Sequence, residues 1–281
     1  MVRIITDSAA DFEPHEMESM DVACIPLCVM FGDKEYQENV DLSKDLFYEL
    51  LTGSDEFPHT SQASPATVGE MLEEAMKAGD EAVVFTLSSG FSGAYENVEN
   101  IRRLMEYEDC QVVDSLTGTG GQRMLVEYAV KLRNKGKSAR EIAEAVRALQ
   151  PRLVLYACMD TLEYLHRGGR ISKAAYTLGS YAKVKPILHV DEAGQLKIPA
   201  KAIGMRKGMD YMCKVVEKLP PDENFPFYVM YTGTRENGLI LAERLRKMGR
   251  EIPEERIINV GAAIGTHVGP NACGLVYVKE S

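Results

Sequence analysis

The chain has 281 residues, of which 45% are hydrophobic, and its formal net charge at pH 7 is −10. This length and apolar content predict a folded protein with a substantial core, which excludes an intrinsically disordered chain. The acidic balance argues against a general nucleic-acid or anionic-membrane binder. No apolar run approaches the roughly 18 residues of a membrane span, so we expect no stable membrane insertion.

The first half of the chain alternates predicted strands with predicted helices. Short apolar runs predict buried strands at 2–6, 22–31, 81–87 and 110–114. Apolar residues at helical spacing predict helices, and four of these begin after Ser43, Ser64, Gly93 and Ser138. This alternation is typical of a doubly wound, mostly parallel sheet with helices on its faces.

The second half mixes predicted hairpins with helices. Strands are expected at 153–159, 184–190, 195–200, 227–231, 257–260 and 273–278, and the turn at 191–194 predicts a hairpin. We therefore expect an α/β protein of two domains. These are an N-terminal doubly wound domain at 1–155 and a smaller C-terminal α+β domain at 156–281, with a ligand in the cleft between them.

Cysteine and histidine usage indicates the compartment and bears on metal binding. The six cysteines lie in apolar surroundings without a C-x-x-C spacing, which is typical of reduced core residues in a cytoplasmic protein. The N-terminal segment leads directly into a predicted strand, without the layout of a signal peptide. Five histidines without ligand spacing predict no metal site.

The most informative stretch is TLSSGFSGAY at residues 86–95. It joins a buried strand to an amphipathic helix through serines and glycines, which points backbone N–H groups and hydroxyls at one place. Such a strand-to-helix turn is suited to binding an anion, with Ser92 and Gly93 nearest the helix. The alternative is an ordinary connection in which Ser92 only caps the helix.

Two further loops and two strand ends are candidates for the same site. Thr60, Ser61 and Gln62 form a predicted polar loop ahead of the helix that begins at Ser64-Pro65, and a glycine-rich loop at 261–270 carries His267. Asp7 and Asp114 each end a predicted strand, where ligands of open α/β sheets lie. Asp7 either orients hydroxyls of the site or caps the next turn.

The catalytic motifs of the sequence leave two alternatives open, and its nucleotide motifs are incomplete. The segment 136–138 (GKS) lies between two predicted helices, and 118–120 (GTG) lacks the third glycine of a dinucleotide fingerprint, so we expect no nucleotide cofactor. Ser92, His267 and Asp114 or Asp7 are compatible with a serine hydrolase acting on an ester or thioester. A further alternative is a kinase-like phosphotransfer domain with His267 as phosphoacceptor.

Taken together, these blocks resemble the DegV family. The similarity is collinear over nearly the whole chain, and its blocks are ITDSAAD at 5–11, TSQASP at 60–65, SSGFSGAY at 88–95, VDS at 113–115, GGRIS at 168–172, KPI at 185–187 and GTHVGP at 265–270. Each block alone is weak, whereas their common order is specific.

The resemblance implies a non-enzymatic carrier that binds one long-chain fatty acid and no other cofactor. The family's binding residues correspond here to Thr60, Ser61, Ser92, Gly93 and His267, which would hold the carboxylate while the acyl chain is buried. The resemblance further implies an ATP-binding fatty acid kinase subunit as partner. The family's arginines at the mouth of the site or on the docking face correspond to Arg170 and Arg206.

Overall fold

The computed structural model describes residues 1–173, 176 and 183–281, and its strands form three sheets. The first sheet is wholly parallel in the order β2-β1-β6-β7, with β1 at Val2–Asp7, β2 at Val22–Ile25, β6 at Glu81–Thr86 and β7 at Cys110–Asp114. Helices pack on both of its faces. The predicted doubly wound sheet is therefore confirmed.

The second sheet has six strands in the order β10-β9-β8-β13-β11-β12. Their bounds are Leu153–Cys158 (β8), Val184–Val190 (β9), Leu196–Ile203 (β10), Tyr228–Tyr231 (β11), Ile257–Asn259 (β12) and Cys273–Val278 (β13). Neighbouring strands are antiparallel except for the parallel pair β11 and β12. The fold is thus α/β with a parallel sheet and a separate, mostly antiparallel one.

A third, small sheet differs from the sequence prediction in two places. It pairs β3 (Cys28–Phe31) with both β4 (Lys34–Gln37) and β5 (His59–Ser61). The predicted strand at 22–31 is therefore wrong as a single element, because Pro26 and Leu27 separate β2 from β3 and the two strands join different sheets. Thr60 and Ser61, predicted to lie in a loop, belong to β5.

Ten α-helices have both of their ends in the described ranges. They are α1 (Pro14–Met20), α2 (Lys44–Gly53), α3 (Pro65–Lys77), α4 (Ala94–Leu104), α5 (Thr119–Arg133), α6 (Ala139–Leu149), α7 (Glu163–Arg167), α8 (Met205–Lys218), α9 (Glu236–Lys247) and α10 (Ala262–Val268). The serine caps predicted at Ser43, Ser64 and Ser138 are present, each accepting a backbone N–H of the first turn. In the part of the chain that is described, no helix has the length and apolar character needed to cross a membrane.

Helix α5 joins the two large sheets into one core. Ten of its fifteen residues are buried, so it is covered on more than one face. One continuous cluster contains Leu125 of this helix, Ile4 of the first sheet and Leu155 of the second. A Cβ on Gly120 would lie 2.8 Å from the side chain of Val276, so glycine permits the close approach of helix and sheet.

The domain boundary after residue 155 stays a prediction. Strand β8, which contains Leu155, pairs with β9 and β13 and so lies within the second sheet. Since that strand begins at Leu153, a boundary before it would keep the sheet whole.

Candidate functional site

A cavity of about 230 Å³ lies between the two halves of the chain, far larger than the roughly 10–15 Å³ that one water needs on the same measure. Its floor crosses five consecutive strands of the second sheet, each of which contributes lining residues: Leu196, Leu188, Ala157, Gly274 and Met230. Four steps between neighbouring strands span about 19 Å. The cavity is therefore elongated across the sheet.

The remaining walls of the cavity are mostly apolar. Ala263, Ile264 and Val268 contribute one face of α10, and Leu87 and Phe91 contribute the loop after β6. Ala157 is partly exposed although β8 has a neighbour on both sides, which fits its position on the cavity floor. Such a wall provides no partners for a charged group but favours a hydrocarbon chain.

Polar groups gather at Thr60 and His267, which are 207 positions apart in the sequence. Thr60 Oγ1 lies 2.8 Å from His267 Nε2, within hydrogen-bond distance. Strand β5 positions Thr60 opposite Val29, and His267 lies in the last turn of α10. Both side chains line the cavity, so the fold brings these two predicted site residues together.

The imidazole of His267 is neutral. Its pKa is lowered to about 3, mainly by burial and also by the nearby positive charge of Arg170 and by His59. Nδ1 is buried without a hydrogen-bond partner in the described part of the chain, and the backbone of Gly168 packs against it. A buried orphan N–H is rarer than a buried orphan acceptor. The proton is therefore assigned to Nε2, which donates to Thr60 Oγ1 and leaves the threonine hydroxyl hydrogen free.

The loop before α4 lies beside this pair. Ser92 Oγ accepts the backbone N–H of Ala94 at 3.2 Å, and both Ser92 and Gly93 line the cavity. Gln62 Oε1 would lie 3.1 Å from a Cβ on Gly93, and Asn97 Nδ2 donates to the carbonyl of Ala63 at 2.9 Å. These contacts hold the segment that carries Thr60 and Ser61 against the start of α4.

The two predicted arginines occupy different environments. Arg170 lines the cavity, donates to the carbonyls of Phe91 and Gly168, and forms no ion pair with a carboxylate among the described residues. Its burial lowers its pKa. Arg206 is exposed at the start of α8 and does not line the cavity, so the structure does not bring it to the other site residues.

The carboxylates considered for a catalytic triad bond elsewhere. Asp7 accepts the backbone N–H groups of Ala9 and Leu87 and the side-chain amide of Gln122, and burial raises its pKa to about 6. Asp114 accepts the backbone N–H groups of Ser89 and Leu116. Since His267 Nε2 faces Thr60 and its Nδ1 has no partner in the described ranges, a Ser92–His267–Asp relay is not assembled.

Gly168 belongs to the GGRIS block at 168–172, but nothing in the sequence assigned it a role in the site. A Cβ at this position would lie 2.1 Å from His267 Nδ1, so only glycine allows the imidazole to lie where it does. The glycine pair at 168–169 was visible in the sequence, but its contact with a histidine about a hundred residues away was not.

Comparison with known proteins agrees with this architecture. The model of the family described as "Uncharacterised protein, DegV family" matches residues 1–280. A DegV domain-containing protein from Caldanaerobacter subterraneus subsp. tengcongensis is 32% identical over 288 residues, covering 99% of each chain. A DegV domain-containing protein from Clostridium perfringens is 31% identical and covers 99% of this chain and 97% of its own.

Two solved structures extend the comparison. A stearic acid-binding protein from Eubacterium ventriosum superposes with a TM-score of 0.89 at 26% identity, covering 99% of this chain and 98% of that one. DegV from Bacillus subtilis, described as a fatty acid binding protein, superposes with a TM-score of 0.84 at 26% identity and covers 99% of each chain. With the family model matching along nearly its entire length, the chain belongs to the DegV family.

Proposed function

We propose that this protein binds one long-chain fatty acid, with the acyl chain in the cavity and the carboxylate at the Thr60–His267 pair. The observation that carries the proposal is an elongated apolar cavity whose polar lining includes a threonine hydroxyl, a neutral histidine and an arginine without a carboxylate partner in the described residues. The fatty acids bound by the two structural relatives are consistent with this ligand class.

The apolar wall would supply most of the affinity. Burial of one methylene contributes about 0.8 kcal/mol, so a chain of sixteen carbons contributes on the order of 10 kcal/mol before the cost of ordering it. Selectivity for an acid would then come from the polar groups. A buried carboxylate without donors is strongly unfavourable, whereas hydroxyl and amide donors with a nearby guanidinium offset that cost.

The proposed donors come from β5 and from the loop before α4. Thr60 would donate the hydroxyl hydrogen that its contact with His267 leaves free, and Ser92 would donate its hydroxyl hydrogen while its oxygen accepts from Ala94. Backbone N–H groups of Ser61 and Gly93 would complete the contacts near the start of α4, where a negative charge is favoured. Arg170 would balance the charge of the bound acid.

We further propose that the protein is a non-catalytic carrier in the cytoplasm, presenting the carboxylate to a separate ATP-binding fatty acid kinase subunit. Ser61, Gln62 and Gly93 line the cavity and are exposed, so the cavity would open to the surface beside the carboxylate, within reach of a partner. The exposed Arg206 belongs to the proposed docking face. Trapping with hydroxylamine tests this role, because an acyl phosphate formed by the kinase subunit with ATP would yield a hydroxamate.

Ligand binding is tested in two steps. Mass spectrometry of the protein purified from bacterial cells is expected to identify a co-purified long-chain acid. After its removal, palmitate and hexadecanol are titrated into the wild type, Thr60→Val and the control Thr234→Val, which removes an exposed hydroxyl away from the cavity.

Thr60→Val is expected to weaken palmitate binding about 10- to 100-fold, since a hydrogen bond to a charged group contributes about 1.5–3 kcal/mol. The affinity for hexadecanol is expected to fall less, and the control variant is expected to bind both ligands as tightly as the wild type. A wild type that binds neither palmitate nor oleate would refute the proposed function. Equal losses for the acid and the alcohol would refute the role of Thr60.

A further inference from the structure

Two buried carboxylates meet at the first turn of α10. Asp11 follows a short 3-10 turn after β1, and Glu38 follows β4; each side chain is 1% exposed. Asp11 Oδ1 accepts the N–H of Gly261 at 2.9 Å, and Glu38 Oε1 accepts the N–H groups of Ala262 and Ala263. Three consecutive backbone amides are therefore held by two acidic side chains from the other half of the chain.

The two carboxylates lie close to one another. A Cβ on Gly261 would lie 2.2 Å from Glu38 Oε1 and 2.9 Å from Asp11 Oδ1. The distance between these two carboxylate oxygens therefore cannot exceed the sum of these two values, which is about 5 Å. Glu38 Oε2 accepts the hydroxyl of Ser8 at 2.7 Å, whereas Asp11 Oδ2 is buried with no hydrogen-bond partner in the described residues.

Like charges at this separation in a buried place favour one shared proton over two ionised groups. Burial is the largest cause that raises the pKa of Asp11 to about 6 and that of Glu38 to about 7, and the charge of Asp11 raises the pKa of Glu38 further. The amides and Lys44 act in the opposite direction. The other titratable or charged groups that act on the pair or feel its charge are Arg123, Asp7, Tyr48 and Cys24.

The opposite end of the same helix forms the head-group region. Helix α10 has only seven residues, about two turns, and a displacement of its first turn therefore moves its last. Ala263, Ile264 and His267 line the cavity, and His267 contacts Thr60. The carboxylate pair does not line the cavity itself.

We propose that Asp11 and Glu38 are positioning residues for the fatty acid site, and that the proton they share controls how α10 places His267 against the ligand carboxylate. This inference rests on the proposed function for its ligand. With one proton on the pair, both side chains keep their bonds to the three amides without mutual repulsion. Loss of that proton adds a second negative charge, which drives the two carboxylates apart and displaces the first turn of the helix.

The first test is the pH profile of palmitate binding between pH 6 and 8.5. An ordinary carboxylic acid is ionised throughout this range, so monomeric palmitate does not contribute a transition. Wild-type affinity is expected to fall about three- to tenfold as pH rises through about 7. Glu38→Gln, which keeps an oxygen for the amides of Ala262 and Ala263 but cannot ionise, is expected to bind with a profile flat within twofold.

Glu35→Gln is the matched control, because Glu35 is exposed on the same hairpin and is expected to leave the wild-type profile unchanged. Should Glu38→Gln fail to fold, Asp11→Asn carries the same test, since it removes the other charge of the pair. A profile in the folded variant that matches the wild type would overturn the inference while leaving fatty acid binding intact.

The second test needs no ligand and therefore separates this inference from the proposed function. The ring signals of His267 are followed by NMR from pH 6 to 8.5, a range in which the imidazole itself does not titrate because its pKa is about 3. A shift with a midpoint near 7 is expected in the wild type and not in Glu38→Gln. The absence of a shift in the wild type would overturn the inference. A shift that is kept in Glu38→Gln and lost in His59→Gln would also overturn it, because His59 lies near the ring as well.

Discussion

The floor of the cavity offers a direct test of where the acyl chain lies. Ala157 is on β8, the third of the five strands that line the cavity, and Gly274 is its partner on β13. Replacing Ala157 with leucine adds three carbon atoms at the middle of this floor, where the neighbouring glycine has no side chain. The added carbons would occupy space that the ligand otherwise fills.

The expected loss follows from the number of methylenes displaced. At about 0.8 kcal/mol each, about three methylenes correspond to about 2 kcal/mol, or roughly a 30- to 50-fold weaker binding of palmitate. Saturated acids from ten to eighteen carbons are titrated into wild type and Ala157→Leu, and the preferred length is expected to shorten by about three carbons. The control Ala148→Leu lies on an exposed face of α6 and is expected to change no affinity.

The pattern across chain lengths decides the outcome. A loss that grows with chain length supports an acyl chain running across the sheet. If Ala157→Leu, shown by circular dichroism and thermal unfolding to be folded, binds every acid as tightly as the wild type, the assignment of the cavity to the acyl chain is refuted. An equal loss for the shortest and the longest acid would likewise contradict the reasoning.

Two further predictions concern the head-group region and the buried acidic pair. Gly168→Ala would place a methyl group 2.1 Å from His267 Nδ1, so the imidazole must move away from Thr60, and palmitate affinity is expected to fall about tenfold. The control in the same titration is Gly53→Ala, whose added methyl group meets open space. Unchanged affinity in Gly168→Ala would contradict the role of the imidazole ring. The pKa of Glu38, raised to about 7 from an ordinary 4.5, means that the folded chain binds more protons than the unfolded chain between those values, so its contribution to the free energy of unfolding is present below about 4.5 and is lost as pH rises through 7. Urea unfolding at pH 5 and pH 8 is expected to show a loss of stability that is larger in the wild type than in Glu38→Gln by on the order of 3 kcal/mol, because the raised pKa values of Asp7 and Asp11 contribute a loss in both proteins. An equal loss in the two proteins would contradict the raised pKa of Glu38.

Sequence patterns were most informative where local physics decides the structure. The helix starts at Ser43, Ser64 and Ser138 follow from side-chain capping, which needs only neighbouring residues. The parallel sheet followed from apolar runs that alternate with amphipathic segments. The break at Pro26 was missed because the apolar run continues across it, and β5 was missed because a three-residue polar strand depends on pairing with β3.

The candidate site was less accessible to such reasoning. Thr60 and His267 meet only through tertiary structure, and their association was expected from the family resemblance rather than from spacing. Glu38 carried no signal at all, because it follows a polar hairpin and a glutamate there is normally exposed. Its burial depends on α10, whose residues come more than two hundred positions later. For Asp7 the sequence left two roles open, orienting hydroxyls of the site or capping the next turn. Its carboxylate accepts the N–H of Ala9, as a turn cap does, and the N–H of Leu87, which links two segments of the chain.

The placement of α5 between the large sheets has a consequence for how a ligand enters. A helix covered on both sides ties the halves together, so rotating one against the other would expose Leu125 and its neighbours to water at a cost of several kcal/mol. Uptake of a long chain is therefore expected to proceed without rotation of one half against the other. The two halves share one interior, and a fragment containing either alone would leave half of that interior uncovered.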